Sequence, residues 1–314
     1  MSSQTGISWT DSTWTPVKAR RKDTGKVGVH CVKVSPECTH CYSETFNKRN
    51  LPSHGTGLPF TVLSGQQVDI FLDDKTLLEP LKWRKPRRIF VCSQTDLFAD
   101  FVTDEMIDRL FTVMALCPQH TFQVLTKRPA RMKAWADNFG RLADKIHDFR
   151  RARGDFGVVG PLPHIPPGYA WWPLANVWLG VTAGTQAMAH ERIPHLLNTH
   201  AAVRFISVEP QLEPVRINAH VIPELWNSQL HWVIQGGESG HGARPFNLQW
   251  ARDLRDQCEA AGVAYFLKQL GAKPIGDMTG TGINRTNAIK LKSRAGSDIE
   301  EWPLDLQIQE FPKC

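Results

Sequence analysis

Three thiols stand on one short run, Cys31-Val-Lys-Val-Ser-Pro-Glu-Cys38-Thr-His-Cys41-Tyr42, and they carry the strongest chemical signal in the chain. A [4Fe–4S] cluster held by three thiolates keeps one iron open to a substrate or cofactor, whereas a structural zinc site closes with four ligands. The zinc reading stays open here. Cys38-Thr-His-Cys41 is a CxxC that Cys31 and one of His30, His40 or His54 would complete. A redox disulfide would leave the third cysteine idle, and Ser35-Pro36 with its polar neighbours marks a loop, not a core strand. Cys92, Cys117 and Cys258 fall in apolar or helical contexts and read as small buried hydrophobes.

A reactive loop needs a scaffold. From residue 88 onward, short apolar runs alternate with amphipathic helical stretches, the rhythm of βα units. The runs are Arg88 to Cys92, Thr121 to Leu125, Asn176 to Val181, Val203 to Val208, His231 to Gln235 and Ala264 to Leu267, and their unbroken apolar character suits strands covered on both faces. Helices are expected over Thr103 to Leu116, Pro129 to Asn138, Thr185 to Leu197 and Asn247 to Ala261, the last closed by Gly262. With a first strand over Val27 to His30, this gives six or seven units. The expected class is α/β: an incomplete parallel (β/α) barrel over residues 1–270, with a C-terminal extension, 271–314, packing on it. The proline- and glycine-rich stretch Gly154 to Pro173 reads as a loop insertion.

In a parallel barrel the loops after the strands build the site. Here those positions are Ser93-Gln94-Thr95-Asp96, Thr126-Lys127-Arg128, Thr182, Glu209-Pro210, Gly236-Gly237-Glu238 and Lys268-Gln269. Any one of them alone reads as a helix cap or solvated turn. Together, Lys127, Arg128, Glu209, Glu238 and Lys268 at one end of a barrel place complementary charges in a shared cavity, which suits a zwitterionic ligand. Gly236-Gly237 would let backbone approach that ligand closely, and Glu238 would accept hydrogen bonds from an ammonium or a ribose.

The whole chain has 314 residues, with 37 basic against 31 acidic side chains and a formal charge of +6, a tilt toward polyanionic partners. Basic and aromatic residues interleave in Lys82-Trp83-Arg84-Lys85-Pro86-Arg87-Arg88, a composition that serves phosphate contact and base stacking or simply a solvated surface over packed tryptophans. Seven scattered cysteines, Cys314 included, do not make a secreted disulfide framework. No basic-then-apolar leader and no apolar run near the roughly 18 residues of a bilayer span is present, so the expected setting is cytoplasmic and off the membrane.

At this point several blocks, in order, resemble the phage and bacterial three-cysteine-motif family of radical S-adenosylmethionine-like proteins. They are Ile7 to Pro16, the cysteine run, Ser93 to Phe98, Phe122 to Pro129, Val177 to Thr182, Arg204 to Pro210, and Gly236 to Gly240 with Ala243-Arg-Pro245. The resemblance implies a radical-SAM-like barrel with a [4Fe–4S] cluster on Cys31, Cys38 and Cys41, the methionine part of S-adenosylmethionine chelating the open iron. Ser93, Asp96, Thr182, Glu209, Gly236, Gly237 and Glu238 are then the cofactor-binding candidates, and Lys127, Glu209 and Lys268 the catalytic ones. It further implies an electron donor such as flavodoxin or ferredoxin and a substrate of modified thymine in phage DNA, most specifically a glycyl adduct that the enzyme isomerises. Radical repair of pyrimidine lesions, or a non-enzymatic metal-stabilised nucleic-acid-binding role, would use the same features. The oligomeric state stays open.

The chain departs from the resemblance in two places. Ordinary members of the wider superfamily space their cysteines Cx3CxΦC, whereas here the first gap is six residues and His40 takes the aromatic position. Lys18 to Val29 is inserted ahead of the first cysteine and carries Arg20, Arg21, Lys22 and Lys26, which would reach a phosphate backbone or only lengthen a hairpin.

Overall fold

A computed structural model describes residues 5–49, 55–140, 144, 146, 172–217, 230–279 and 288–313. Of the expected insertion only Trp172 and Pro173 fall within these, and His54 and Cys314 lie outside them. The chain divides into two compact units, Met1–Val34 with Cys41–Leu179 and Thr199–Ala202, and Ser35–His40 with Gly180–Asn198 and Val203–Cys314.

The first unit holds strands β1 (Ser12–Trp14), β2 (Val17–Arg21) and β3 (Val27–Gly28), helices α1 (Tyr42–Lys48) and α2 (Val62–Gly65), then β4 (Val68–Leu72) and α3 (Asp74–Leu77). It continues with β5 (Arg88–Val91), α4 (Asp104–Ala115), β6 (Thr121–Thr126) and α5 (Pro129–Asp137). Strand β7 (Val177–Thr182) begins in this unit and ends in the second. The second unit adds α6 (Gln186–Leu197), β8 (Val203–Val208), β9 (Trp232–Gly236), β10 (Phe246–Asn247), α7 (Leu248–Ala261), β11 (Ala264–Gln269) and β12 (Pro274–Ile275).

Seven strands form one parallel sheet in the order β1-β5-β6-β7-β8-β9-β11. The order follows the chain without reversal, so there is no switch point of the doubly wound kind; the fold class is α/β with the strand order of an incomplete β/α barrel. All six expected apolar runs become strands of this sheet, and β7, β8 and β9 are buried along their whole length. Helix ends follow local chemistry. Thr103 caps α4 by accepting from the Met106 amide at 3.2 Å, Asn247 caps α7 through the Gln249 amide at 2.9 Å, and Gly262 closes α7 with a left-handed φ of 64°.

The expected first strand is corrected. Val27–Gly28 lies in a separate antiparallel sheet of order β3-β2-β4, and the first strand of the main sheet is β1, which pairs parallel with β5 from Ser12↔Ile89 to Trp14↔Val91. Only three residues long and one of them apolar, β1 has no run for periodicity to detect. Its hold comes from tertiary contact, with Trp14 fully buried and its indole donating to the Thr76 carbonyl at 2.8 Å. In the second unit the chain end lies along β11, where the Leu267 amide donates to Ile308 and the Glu310 amide to Tyr265, both at 2.9 Å, covering an otherwise open sheet edge. Among the described residues no helix is long and apolar enough to cross a membrane.

Candidate functional site

In the first unit, the loop that leaves β5 turns at Cys92, which holds a left-handed φ of 52° although it is not glycine. Such a conformation costs about 1 kcal/mol and is sustained by bonds on both sides, from the Cys92 amide to Trp14 at 2.7 Å and from the Thr95 amide to Cys92 at 3.0 Å. The turn aims Ser93, Gln94 and Thr95 at the flanks of the cysteine loop. Thr95 donates to the His30 carbonyl ahead of Cys31, while Tyr42 donates to the Ser93 carbonyl and Ser43 to the Gln94 carbonyl, at 2.6 Å, just after Cys41.

Asp96 secures the next loop. Its buried carboxylate accepts from Thr126 Oγ1 at 2.7 Å, from the Lys127 and Phe98 amides at 2.9 and 3.0 Å, and from Arg128 at 3.0 Å. Arg128 in turn donates to the Val32 carbonyl at 3.1 Å, so the Asp96 carboxylate, through Arg128, braces the residue next to Cys31. Burial pushes the Cys31 thiol up to about 11, with Asp96 adding to the rise and Arg128 opposing it.

In the second unit, Glu238 does the same for the stretch around Cys38. Its oxygens accept from Arg244 through Nη2 at 2.6 Å, Nε at 2.9 Å and the amide at 2.9 Å, and from His40 Nδ1 at 3.0 Å. Arg244 also donates to the Pro36 carbonyl at 3.1 Å. Burial alone would raise this carboxyl, but the Arg244 and His40 hydrogen bonds outweigh it and hold Glu238 at about 2. Deeper in the same unit, Glu37 accepts from the Gly184 amide at 2.9 Å, and Arg192 donates to the Thr182 carbonyl at 2.9 Å.

Glu209 and Lys268 form an ion pair with each other, both about four-fifths enclosed. Lys268 does not follow its strand as expected but lies inside β11, at a register shift: Leu267 pairs with Gln235 and Gln269 with Gly236, leaving Lys268 as the extra residue of a bulge. A bulge re-aims a side chain, and here it sends the ammonium to the carboxylate two strands away. At Gly236, on the strand between, a Cβ would stand 3.3 Å from Gln269 Cγ and in ordinary contact, 3.5 Å, with Glu209 Cγ. Gly237 is required by packing as well. A Cβ at that position would meet the Leu270 carbonyl oxygen at 2.4 Å, so the protein's own backbone fills the space.

Among the strand-end candidates, the structure thus brings Ser93, through its main-chain carbonyl, Asp96 and Lys127 to the Cys31 and Cys41 flanks of the loop in the first unit, while in the second the Thr182 carbonyl accepts from Arg192. It brings Glu238 to the Cys38 side, and joins Glu209 to Lys268, in the second. Sequence reasoning missed Glu37, Arg192, Arg244 as a clamp, and Glu44, whose buried carboxylate accepts from the Phe60 amide at 2.9 Å and pairs with Lys33 and Lys48. Arg244 had a signal, its place in Ala243-Arg-Pro245; Glu37 had only its position between two cysteines.

Cys31, Cys38 and Cys41 are free and half-buried, whereas Cys92, Cys117 and Cys258 are buried, their thiols pushed up by desolvation, to about 12 for the first two. Three half-buried thiols on one anchored loop suit iron–sulfur chemistry by ligand type. The zinc alternative needs a histidine. His30 is enclosed between Phe60 and Phe101, desolvated to a pKa of about 4, and His40 is engaged through Nδ1 with Glu238. Among the described residues no group of three or more histidine, cysteine or carboxylate side chains is gathered as for a single ion.

No curated protein and no solved structure matches the chain. One family model spans the tryptophan block, the cysteine loop and both clamps: its description reads "Protein of unknown function (DUF5131)", it matches residues 4–300, and the chain belongs to that family.

Proposed function

We propose that this protein is a radical S-adenosylmethionine enzyme with a radical-SAM-like partial barrel, acting on modified thymine in DNA and isomerising a glycyl thymine adduct. The observation that carries the reading is the cysteine loop: three half-buried free thiols, tied at the first and third by the β5 and β6 loops and at the second by Glu238 and Arg244. A [4Fe–4S] cluster, which Cys31, Cys38 and Cys41 would hold, would supply one-electron reduction of S-adenosylmethionine and so radical hydrogen-abstraction chemistry.

The chain's own residues do the rest. Cys31, Cys38 and Cys41 hold the cluster, and Asp96 with Arg128, and Glu238 with Arg244, fix the backbone from which those ligands project. The Glu209–Lys268 pair can orient a zwitterion or hold a proton between carboxylate and amine; Lys127, in the first unit, is a separate catalytic candidate. Strands buried along their length exclude water from a reactive radical. A small acidic electron carrier of the flavodoxin or ferredoxin type would serve as reductant, in the cytoplasm.

Anaerobic reconstitution tests the reading. Wild type is expected to bind about four irons and to lose them when Cys31, Cys38 or Cys41 becomes alanine, but not when Cys117 or Cys258 becomes serine. Incubation with S-adenosylmethionine, a reductant and DNA carrying the adduct should yield 5′-deoxyadenosine and a nucleoside of unchanged mass and altered retention. One equivalent of zinc with no iron would reject the radical mechanism.

A further inference from the structure

Glu37 stands directly before Cys38, in the tight turn Pro36–Cys38, and its side chain is wholly enclosed. Oε1 accepts from the Gly184 amide at 2.9 Å and lies 3.6 Å from Arg192 Nη1, itself 1 % exposed. Glu37 Oε2 and Arg192 Nε have no hydrogen-bond partner among the described residues. Gly184 is part of the seat: a Cβ there would fall 2.2 Å from the Pro210 carbonyl oxygen and 2.7 Å from Glu37 Cγ. No side chain other than hydrogen admits the carboxylate to this slot.

As a source of stability the pair is poor. Two charges removed from water meet through one long contact, and two further polar atoms stay unsatisfied, each at a cost. A loop residue between two cysteines would avoid that cost by pointing to solvent. Its insertion between the β7–α6 turn and Arg192 gives the Pro36–Cys38 turn one position, and with it Cys38. Buried ionic groups that do not stabilise can still specify one arrangement.

We propose that Glu37 is the positioning residue for Cys38: seated on Gly184 and Arg192, it fixes where this thiol stands before any metal arrives. The function of that placement rests on the cluster reading above; its test does not. In the metal-free, full-length chain, the rate of alkylation by iodoacetamide is followed cysteine by cysteine by mass spectrometry, with Cys31 as internal reference. Cys38 is expected to react about tenfold faster in E37A and in the apolar pair E37M/R192M than in wild type, with Cys31 within about twofold, because release of the Pro36–Cys38 turn uncovers a thiol that is half-buried in wild type. E37Q, which keeps an acceptor for Gly184, should fall between. The apolar pair should match or exceed wild type in thermal midpoint, since buried ion pairs often yield stability when replaced by packed hydrophobes.

That combination, intact fold with a loosened Cys38, separates positioning from general support. Unchanged Cys38 labelling in folded E37M/R192M or E37Q overturns the proposal, as does an equal rise at Cys31 and Cys38. Failure of wild type to take up iron would instead reject the cluster reading and leave the labelling result standing.

Discussion

Glu238, expected among the cofactor-binding residues, is also the centre of a clamp beside Cys38. A carboxylate next to two glycines reads as a ligand for an ammonium or ribose, and in the structure its oxygens accept from Arg244 and His40. The consequence is a pH dependence with a definite sign. Its folded pKa, about 2, lies below the ordinary 4.5, so its contribution to stability is full above pH 4.5 and is lost as pH falls toward 2. In the metal-free protein, urea unfolding at pH 5.5 and at pH 3 should therefore differ more in wild type than in R244M, by up to about 2 kcal/mol, the full effect of both partners, since His40 stays in place. Equal pH dependence in the two would mean that Arg244 is not the group that holds Glu238 down.

Among the elements, the inserted hairpin and the β11 bulge show how context redirects a charged sequence. The insertion forms β2 and β3, turned at Gly25 with φ 69°, and β2 pairs on its other side with β4. Its basic residues are partly spoken for. Arg21 pairs with Asp23 at 2.7 Å, Lys22 donates to the Gln66 carbonyl at 3.0 Å with Asp69 at 3.7 Å, and Arg20 lies over the Phe71 ring at 4.7 Å. Three free cations would each release a counterion on duplex DNA, but Arg21 and Lys22 are paired with Asp23 and Asp69, and Arg20, over the Phe71 ring, stands across from Asp69 in the strand register. Replacing Arg20, Arg21 and Lys22 by alanine should thus lower the log–log salt slope of DNA binding by about 0.9, one phosphate's worth, and leave iron content unchanged. Fluorescence anisotropy across a salt series gives the slope, and an unaltered slope would exclude the hairpin from the DNA contact.

At the scale of the whole molecule, a formal charge of +6 favours a polyanion. A base delivered to a buried site must leave its stack, at a cost of a few kcal/mol that phosphate contacts can offset. Turnover of the adduct in a DNA strand should then exceed turnover of the free modified nucleoside at low salt, with the advantage shrinking as salt rises. Equal efficiency on both, measured by nucleoside chromatography, would move the substrate from DNA to the nucleotide pool.

The sequence by itself determined the main strands and the helices with their caps, because continuous apolar runs, Thr103, Asn247 and Gly262 act through neighbours a few positions away. It also singled out the cysteine loop and the polar residues that follow the strands, since spacing and residue type are local facts. Tertiary structure decided what those residues touch. Periodicity cannot register a three-residue strand such as β1, whose place is set by Trp14 packing and by pairing with β5. The bulge that turns Lys268 toward Glu209 depends on register between strands, and the burial of Glu37 depends on the absence of a side chain at Gly184, 147 residues away in sequence. A charge beside a proline in a short loop reads as solvated, and only the slot formed by a distant glycine and Arg192 makes it otherwise.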